Sequence, residues 1–343
     1  MSEILFDTVG RAGVVTLNRP TALNALSEPM IHAMGEALAE WARDDAIHRV
    51  AIRAEGKAFC AGGDVRDVHA RRAGALDFFA AEYRNNHRIG AFAKPVVALI
   101  DGICMGGGVG ISAHGSHRVA SERLVFAMPE TGIGLFPDVG ATHLLAGMEG
   151  GAGMWLALTG DRIGRDAARA LGFVTHPVDS GRIEDALDRT AHARDLDAAL
   201  DDLTVETEPL DPDETAVIDD AFSADSVAGV LDRLDARAGE SGFAARAAAI
   251  IRTRSPTSLS IAFRQMKRAK GASLAECLVT DFRIVSRVLD GHDLYEGIRA
   301  VLIDKDNSPR WSPASLSGVD DEEIEAHFEP APGGDLDLAE AGA

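Results

Sequence analysis

The stretch Pro95-Val-Val-Ala-Leu-Ile100-Asp-Gly-Ile-Cys-Met105-Gly-Gly-Gly-Val-Gly110 decides the fold class of this chain. Its first six residues form a short apolar run, which is typical of a buried strand. The glycines that follow leave backbone N–H groups bare at the point where a helix is predicted to begin. N–H groups at a helix N-terminus carry partial positive charge, so this segment suits a developing oxyanion.

A second segment carries two carboxylates: Phe126-Ala-Met-Pro-Glu130-Thr-Gly-Ile-Gly-Leu-Phe-Pro-Asp138-Val-Gly140. Glycines and prolines interrupt it, so its backbone can turn tightly around a ligand. By residue type alone, a loop glutamate such as Glu130 is most often solvated, and an aspartate after a proline is an ordinary turn residue. Together with the oxyanion donors, however, the two acids favour acyl chemistry.

The flanking sequence predicts an α/β fold. Residues 14–18 and 50–53 are predicted strands, and apolar residues recur at helical spacing between them. The alternation continues with a helix over 76–92, the strand at 95–100, a helix after Gly107 and a strand over 123–127. This order indicates repeated ββα units stacked around one core. Few β-branched clusters follow Gly160, so the remainder is predicted to be helical.

Composition places the chain among soluble globular proteins and excludes several partners. It has 343 residues, 46% of them apolar and 5% aromatic, with a mean hydropathy near zero. Its formal charge of −20 repels nucleic acid and anionic membrane alike. No apolar run reaches the roughly 18 residues that a membrane span needs, and the N-terminus lacks a basic stretch followed by an apolar one. We therefore expect a cytoplasmic protein.

Other chemistries lack their motifs. Cys60, Cys104 and Cys277 are an odd number without paired spacing, so the sequence indicates neither a disulfide framework nor a zinc site. His114 and His117 have no acidic or cysteine partner at metal-ligand spacing, so we expect no metal. The sequence contains neither a Gly-x-Ser-x-Gly elbow nor a Gly-x-x-x-x-Gly-Lys phosphate loop.

Three segments together resemble the crotonase (enoyl-CoA hydratase/isomerase) superfamily: Phe59-Cys-Ala-Gly-Gly-Asp64, residues 95–110 and residues 126–140. Within that superfamily the chain is similar to the 3-hydroxyisobutyryl-CoA hydrolases. The closer likeness rests on Phe78-Phe79-x-x-Glu82-Tyr83, Met105-Gly-Gly-Gly-Val-Gly110, Pro129-Glu130, Phe136-Pro-Asp-Val-Gly140, Tyr295-Glu-Gly-Ile-Arg-Ala300, Asp304-Lys-Asp306 and Pro309-x-Trp311. It runs from about residue 4 to residue 313.

The resemblance implies a crotonase-like spiral of ββα units and a set of site residues. Gly63 and Gly107 would donate backbone N–H groups to the oxyanion, while Glu130 and Asp138 would be catalytic. Glu82, Ala61 and Asp64 would contact the substrate. The hydratases carry a second catalytic glutamate at the position of Gly110, so its loss here argues against hydration as the main reaction.

The implied reaction is hydrolysis of an acyl-CoA thioester, 3-hydroxyisobutyryl-CoA or a close relative, as in valine degradation. Glu130 would act either as nucleophile or as general base for water, and the sequence does not choose between the two. No cofactor is expected, because the CoA moiety belongs to the substrate. A homo-oligomer is compatible with the superfamily. Two alternatives stay open: enoyl-CoA hydration or isomerisation, and a non-catalytic acyl-CoA binding protein.

Three parts are predicted along the chain. Residues 1–190 would form the crotonase-like core with the CoA-ester site, residues 191–313 a helical C-terminal region, and residues 314–343 a poorly ordered acidic tail that lacks apolar periodicity. The CoA phosphates need local positive charge despite the net −20. Basic residues cluster near the proposed motifs: Lys57, Arg66, Arg71, Arg72, Arg84, Arg88 and Lys94.

Overall fold

Nine strands form two sheets in the computed structural model, which describes residues 2–339. In chain order they are β1 (Ile4–Val9), β2 (Ala12–Leu17), β3 (Arg49–Ala54), β4 (Ala58–Cys60), β5 (Val96–Ile100), β6 (Ile103–Met105), β7 (His117–Ala120), β8 (Val125–Ala127) and β9 (His176–Pro177). The larger sheet has the order β1-β2-β3-β5-β7-β9, and the smaller one the order β4-β6-β8. β1 and β2 pair antiparallel, whereas the later pairs are parallel.

Helices make up most of the rest of the described chain. They are α1 (Glu28–Arg43), α2 (Val65–Arg71), α3 (Leu76–Gly90), α4 (Gly107–Ala113), α5 (Ala141–Leu145), α6 (Ala152–Thr159), α7 (Arg165–Ala170), α8 (Ile183–His192), α9 (Leu196–Asp201), α10 (Pro212–Ala221), α11 (Val227–Arg237), α12 (Gly242–Ile251), α13 (Pro256–Ala269), α14 (Leu274–Val288), α15 (Asp293–Ile298) and α16 (Asp321–Ala326). Within residues 2–339, none of them combines the length and the apolar character that a bilayer span requires.

The predicted ββα repeat is present. The first repeat, β1-β2-α1, has both strands in the larger sheet. The later repeats place one strand in the larger sheet, the next short strand in the smaller sheet, and then a helical segment, as in β5, β6 and α4. Successive repeats stack in register, with Val50 opposite Val96 and Val97 opposite His117. The predicted strand at 95–100 is β5, and the predicted helix after Gly107 is α4. The three-residue strands β4 and β6 were beyond prediction, because three residues show no period.

The strand ends of the smaller sheet create the site. β4 and β6 run parallel, with Cys60 opposite Cys104, so the two strands end at the same edge of the sheet. Each then continues directly into glycines, Gly62 and Gly63 after β4 and Gly106 onwards after β6. Two segments more than 40 residues apart in sequence therefore meet at one edge, as ligand-binding loops commonly do in parallel sheets.

The C-terminal helices pack against the ββα core. α14 lies against α3, while α13 lies against α5 and α6. α13 and α14 follow the helical pattern, each with one apolar face buried in the main core. The division at residues 190 and 313 stays a prediction, although this packing already shows that the C-terminal helices share a core with the ββα repeats.

The structure contradicts the expectation of a poorly ordered tail, because residues 314–339 pack against the rest of the molecule. Its side chains Ile324, Phe328 and Leu336 are buried in the main core, although their irregular spacing gives no apolar period. Arginines on α13 and α14 form ion pairs with acidic residues of the tail, for example Arg264 with Asp321 at 2.6 Å. A few well-placed apolar anchors and ion pairs thus hold a segment that composition alone describes as unfolded. Residues 340–343 lie outside the described chain.

Candidate active site

A cavity of about 620 Å³ opens beside the ends of β4 and β6. Six of the seven residues that the family resemblance implies line it: Ala61, Gly63, Glu82, Gly107, Glu130 and Asp138. Apolar side chains form much of the remaining wall, including Leu23, Val65, Phe78, Phe79, Ile133 and Leu135. The structure therefore gathers glycine N–H groups and three carboxyl groups around one largely apolar space, which is the usual character of a small-molecule site.

Asp64 is the seventh residue, and it is not part of the cavity lining. It precedes the first residue of α2, and its carboxylate pairs with Arg19 Nη1 at 2.8 Å. The backbone N–H of Asp64 donates to the Leu26 carbonyl oxygen at 2.9 Å. These contacts anchor the end of the Gly62–Gly63 turn rather than present the carboxylate to a substrate.

Gly107 has no room for a side chain. A methyl group on its Cα would lie 2.4 Å from Glu82 Oε1 and 3.2 Å from the Gly63 nitrogen. A methyl group on the neighbouring Gly106, whose φ is +49°, would lie 2.9 Å from Glu130 Oε1. The two glycine segments and two of the carboxyl groups are thus within contact distance of one another. In residues 2–339, no backbone hydrogen bond uses the N–H of Gly63 or of Gly107 as donor.

The three carboxyl groups come from different elements and are all buried. Glu82 lies on α3 and Glu130 begins a short 3-10 turn, while Asp138 lies in the loop before α5. They are 3%, 5% and 4% exposed. Glu82 Oε1 and Glu130 Oε2 have no hydrogen-bond partner within the described chain, whereas Asp138 Oδ2 accepts a hydrogen bond from the Tyr83 hydroxyl at 2.8 Å.

Burial makes these carboxyl groups basic. It raises the pKa of Asp138 to about 7, an increase that the Tyr83 hydrogen bond partly offsets. Burial also raises the pKa of Glu82 and of Glu130 well above the ordinary value, and the nearby charge of Asp138 raises both further. A carboxyl group whose pKa is raised holds and returns a proton more readily near neutral pH, which is what general acid–base chemistry requires.

Gly110 lies outside the cavity lining and contributes no carboxyl group. A methyl group on its Cα would lie 2.8 Å from Asn86 Nδ2 and 2.8 Å from Val139 Cβ. It does not line the cavity, and the Asn86 side chain, which is fully buried, occupies the space beyond it. The position where hydratases carry their second glutamate is therefore closed as well as unfilled.

The positive charge at the cavity comes from arginines that the sequence did not single out. Arg162 and Arg254 line it, and neither forms a salt bridge within residues 2–339. The basic cluster expected from the sequence is absent from the lining, and several of its members are held elsewhere. Arg71 pairs with Asp67, for example, and Lys94 Nζ donates to the Trp41 and Asp44 carbonyl oxygens.

The chain matches the family model described as enoyl-CoA hydratase/isomerase over residues 12–328, most of its length. It belongs to the enoyl-CoA hydratase/isomerase family. A Danio rerio member of that family, named 3-hydroxyisobutyryl-CoA hydrolase, mitochondrial, is 46% identical over 354 residues, with 98% of this chain and 92% of the relative covered. A Homo sapiens member with the same name is 42% identical over 352 residues, covering 97% of this chain and 90% of the relative.

Solved structures in the family confirm the crotonase fold. A carnitinyl-CoA dehydratase from Mycobacterium thermoresistibile superposes with a TM-score of 0.92 at 38% identity, covering 99% of both chains. An enoyl-CoA hydratase from Rhodobacter sphaeroides 2.4.1 superposes with a TM-score of 0.89 at 38% identity, covering 98% of this chain and 100% of the other. The names of these two proteins and those of the two hydrolases describe different reactions on acyl-CoA esters.

The expected cytoplasmic location is contradicted by the hydrolase relatives, which are named as mitochondrial proteins. That expectation rested on finding neither a membrane span nor a secretory type of N-terminus. Neither observation distinguishes the cytoplasm from the interior of a mitochondrion, so the two observations do not support a cytoplasmic location.

Several cavity residues of this family member were missed by sequence reasoning. Arg254, Val301, Leu302 and Asn307 line the cavity, although they follow residue 190, where the site was predicted to end. Val301 and Leu302 lie in a single π-helical turn, a feature that is frequent at functional sites. One signal was available, because the late motif at residues 295–311 belonged to the hydrolase resemblance without having a role.

Proposed function

We propose that this protein hydrolyses the thioester of 3-hydroxyisobutyryl-CoA. One observation carries the proposal: Glu130 lies beside the paired glycine segments, whereas position 110 has neither a carboxylate nor the space for one. Thioester hydrolysis needs attack at the carbonyl carbon alone, so one acid–base group beside an oxyanion site suffices. The names of the hydrolase relatives support the same reaction.

The substrate's carbonyl oxygen would lie between the N–H groups of Gly63 and Gly107. Neither N–H group is used by the backbone within residues 2–339, and a methyl group on Gly107 would lie 3.2 Å from the Gly63 nitrogen, so the two neighbouring N–H groups can stabilise the negative charge that develops on the oxygen. Glu82 Oε1, buried and without a partner in the described chain, would accept a hydrogen bond from the substrate's hydroxyl group. An acyl group without that hydroxyl would leave the glutamate unsatisfied.

Two routes use the same Glu130. As general base, Glu130 takes a proton from water; the water oxygen bonds to the carbonyl carbon, the C–S bond breaks, and the sulfur leaves with the proton that Glu130 returns. As nucleophile, its carboxylate oxygen bonds to the carbonyl carbon and expels the thiolate, and water then cleaves the resulting anhydride. Asp138 orients the water in either case, fixed by its hydrogen bond from Tyr83.

Oxygen labelling tests the nucleophilic route. Repeated turnover in H₂¹⁸O labels the Glu130 side chain only where an anhydride forms and water attacks its protein carbonyl. Mass spectrometry of the peptide that contains Glu130 gives the answer, with Glu130→Gln protein as the unlabelled control. Label in that peptide establishes the nucleophilic route, and label confined to the product acid of a single turnover excludes an anhydride that water cleaves at the protein carbonyl.

Thiol release over a panel of acyl-CoA esters tests the function itself. We expect 3-hydroxyisobutyryl-CoA to be cleaved faster than isobutyryl-CoA, which lacks the hydroxyl group, and crotonyl-CoA to be hydrated slowly or not at all. Efficient hydration without thiol release from any β-hydroxyacyl-CoA would overturn the proposal. The absence of both reactions would instead favour a non-catalytic acyl-CoA binding protein.

Enoyl-CoA hydration is the second candidate, and the two solved structures favour it, because they are named as a hydratase and a dehydratase at 38% identity. Hydration must add a proton to C2 as well as activate water, so it calls for a second acid–base group. Gly110 cannot supply one. The absorbance of the conjugated enoyl thioester, followed with crotonyl-CoA, discriminates the two reactions in one assay.

A further inference from the structure

The loop that carries Asp138 is held by two helices from the C-terminal region. The Gln265 side-chain amide, on α13, donates to the Pro137 carbonyl oxygen at 3.1 Å. The Asp281 carboxylate, on α14, accepts from the Gly140 N–H at 2.8 Å. These two hydrogen bonds anchor the backbone at Pro137, immediately before Asp138, and at Gly140, two residues after it.

Gln265 and Asp281 also bond to each other, which closes the network. Gln265 Nε2 donates to Asp281 Oδ1 at 2.6 Å, so both hydrogens of the amide and both oxygens of the carboxylate are used. Gln265 is 2% exposed and Asp281 is fully buried. Gln265 Oε1 has no hydrogen-bond partner within residues 2–339, so the amide is held through its two donors, which fix its arrangement against the loop and the carboxylate.

The loop needs such support because its backbone is strained. Val139 has a φ of +56° and Gly140 one of +70°. A β-branched residue such as valine is a genuine outlier in this left-handed region, and such a conformation persists only where its surroundings impose it. His114 Nε2 lies 2.8 Å from the Val139 carbonyl oxygen and holds the loop from the ββα side.

Building on the proposed function, we propose that Gln265 and Asp281 are positioning residues that keep the strained loop closed, so that Asp138 remains fixed at the cavity wall for the reaction. Neither side chain lines the cavity, so each acts on the substrate only through the loop. The catalytic geometry therefore depends on α13 and α14 as well as on the ββα repeats.

The Asp281 carboxyl group satisfies two buried donors at an electrostatic cost. Asp281 is buried near Asp138, and burial together with that neighbouring charge raises the pKa of Asp281 well above its usual value. Its oxygens accept from the Gly140 N–H and from Gln265 Nε2, so an apolar residue there would leave both donors buried without an acceptor.

Gln265→Met tests the proposal, because methionine keeps the length and removes both donors. We expect kcat for thiol release to fall by about 10²-fold with KM nearly unchanged, since a catalytic group displaced by about 1 Å can cost that much. In the Asp138→Asn background the same substitution should change kcat by less than about twofold, because Gln265 then has no catalytic group left to position. A twofold change is about the usual scatter when the effects of two substitutions are combined.

A merely structural role for Gln265 predicts another pattern, in which the substitution lowers kcat by the same factor in both backgrounds. That result, or an unchanged kcat in the single variant, would overturn the inference. Thiol release by the parent protein is measured first, so a failure of the proposed function shows as an inactive parent and not as an insensitive variant.

Two further variants keep the test decisive. Val288→Ala removes buried volume from α14, seven residues from Asp281, and controls for the loss of stability alone; it should leave kcat unchanged. Asp281→Asn retains one oxygen acceptor and so covers the case in which Gln265→Met does not fold. Its kcat should fall below that of the parent, and the fall should again disappear in the Asp138→Asn background; an equal fall in both backgrounds would overturn the proposal.

Discussion

The two walls of the cavity carry opposite charges in opposite environments. Glu82, Glu130 and Asp138 are almost completely buried, and burial raises the pKa of each. Arg162 is exposed, and Arg254 is half-buried, with its guanidinium donating to the Thr159 carbonyl oxygen. The groups that exchange protons are buried, and burial raises their pKa. The groups that attract an anion are more accessible to solvent. Substitutions on the acidic wall should therefore change kcat, and those on the arginine side KM.

Glu130→Gln should have the largest effect. The amide keeps the shape but can neither attack the thioester nor accept a proton, so we expect kcat to fall by at least about 10²- to 10⁴-fold while the substrate still binds. Rapid-quench measurement of thiol release, together with calorimetric titration of the acyl-CoA, gives both quantities. A variant that turns over at the parent rate would exclude Glu130 from the mechanism.

The same variant should be more stable than the parent at pH 7. The pKa of Glu130 is raised in the folded protein, so its contribution to stability is present below its unfolded pKa and is lost as pH rises through the folded one. Glutamine has no such loss. We expect the free energy of unfolding of the variant to exceed that of the parent at neutral pH, and the difference to shrink near pH 4. Urea unfolding at the two pH values measures it and shows that lost activity is not lost structure.

Gly107→Ala should come next. Its methyl group would meet Glu82 Oε1 at 2.4 Å and displace the Gly63 and Gly107 N–H groups relative to each other. Loss of one oxyanion donor typically costs about 10²- to 10³-fold in kcat. Gly239→Ala is the matched control, because a methyl group there would meet no atom within 4 Å. Parent-like kcat in Gly107→Ala would remove these glycines from the mechanism.

Tyr83→Phe should act through pH. The Tyr83 hydroxyl donates to Asp138 and lowers a pKa that burial has raised to about 7, so its loss raises that pKa further. If Asp138 works ionised, the rising limb of kcat against pH should move upward by on the order of one unit, with activity recovered in alkaline buffer. A loss of activity that is constant across pH would contradict this role.

Sequence predicted the acidic wall far better than the arginine side. Gly63, Gly107, Glu82, Glu130 and Asp138 belong to short ordered motifs, and the structure places all of them on the cavity. Such motifs can be read because the chain supplies each residue together with the turn that positions it. The ββα order was likewise visible, since its longer strands and helices have the periods that local sequence reveals.

The rest depended on contacts between distant parts of the chain. Arg254 and Gln265 lie on or beside helices whose sequences show only an apolar face. Packing of α13 against α5 and α6 brings Arg254 to the cavity and Gln265 to the loop that carries Asp138. Asp281 offered one faint signal, an acid within the buried face of α14. The basic cluster around residues 57–94 lies outside the cavity lining, and two of its members, Arg71 and Lys94, are held by a nearby acid and by carbonyl groups.

Arg162→Gln should have the smallest effect, and it tests the arginine side directly. Arg162 lines the cavity, is exposed and has no salt bridge within residues 2–339, so we expect it to attract the phosphates of CoA. An exposed ion pair is weak, so KM for the acyl-CoA should rise only about two- to fivefold with kcat unchanged, and added salt should diminish the difference.

The corresponding pantetheine thioester, which lacks the nucleotide phosphates, should react equally with variant and parent. Arg194→Gln, on a side chain outside the cavity lining, controls for the loss of one positive charge. A KM that rises equally for both thioesters would place Arg162 at the acyl end of the cavity, and the separation of binding charge from catalytic charge would then fail.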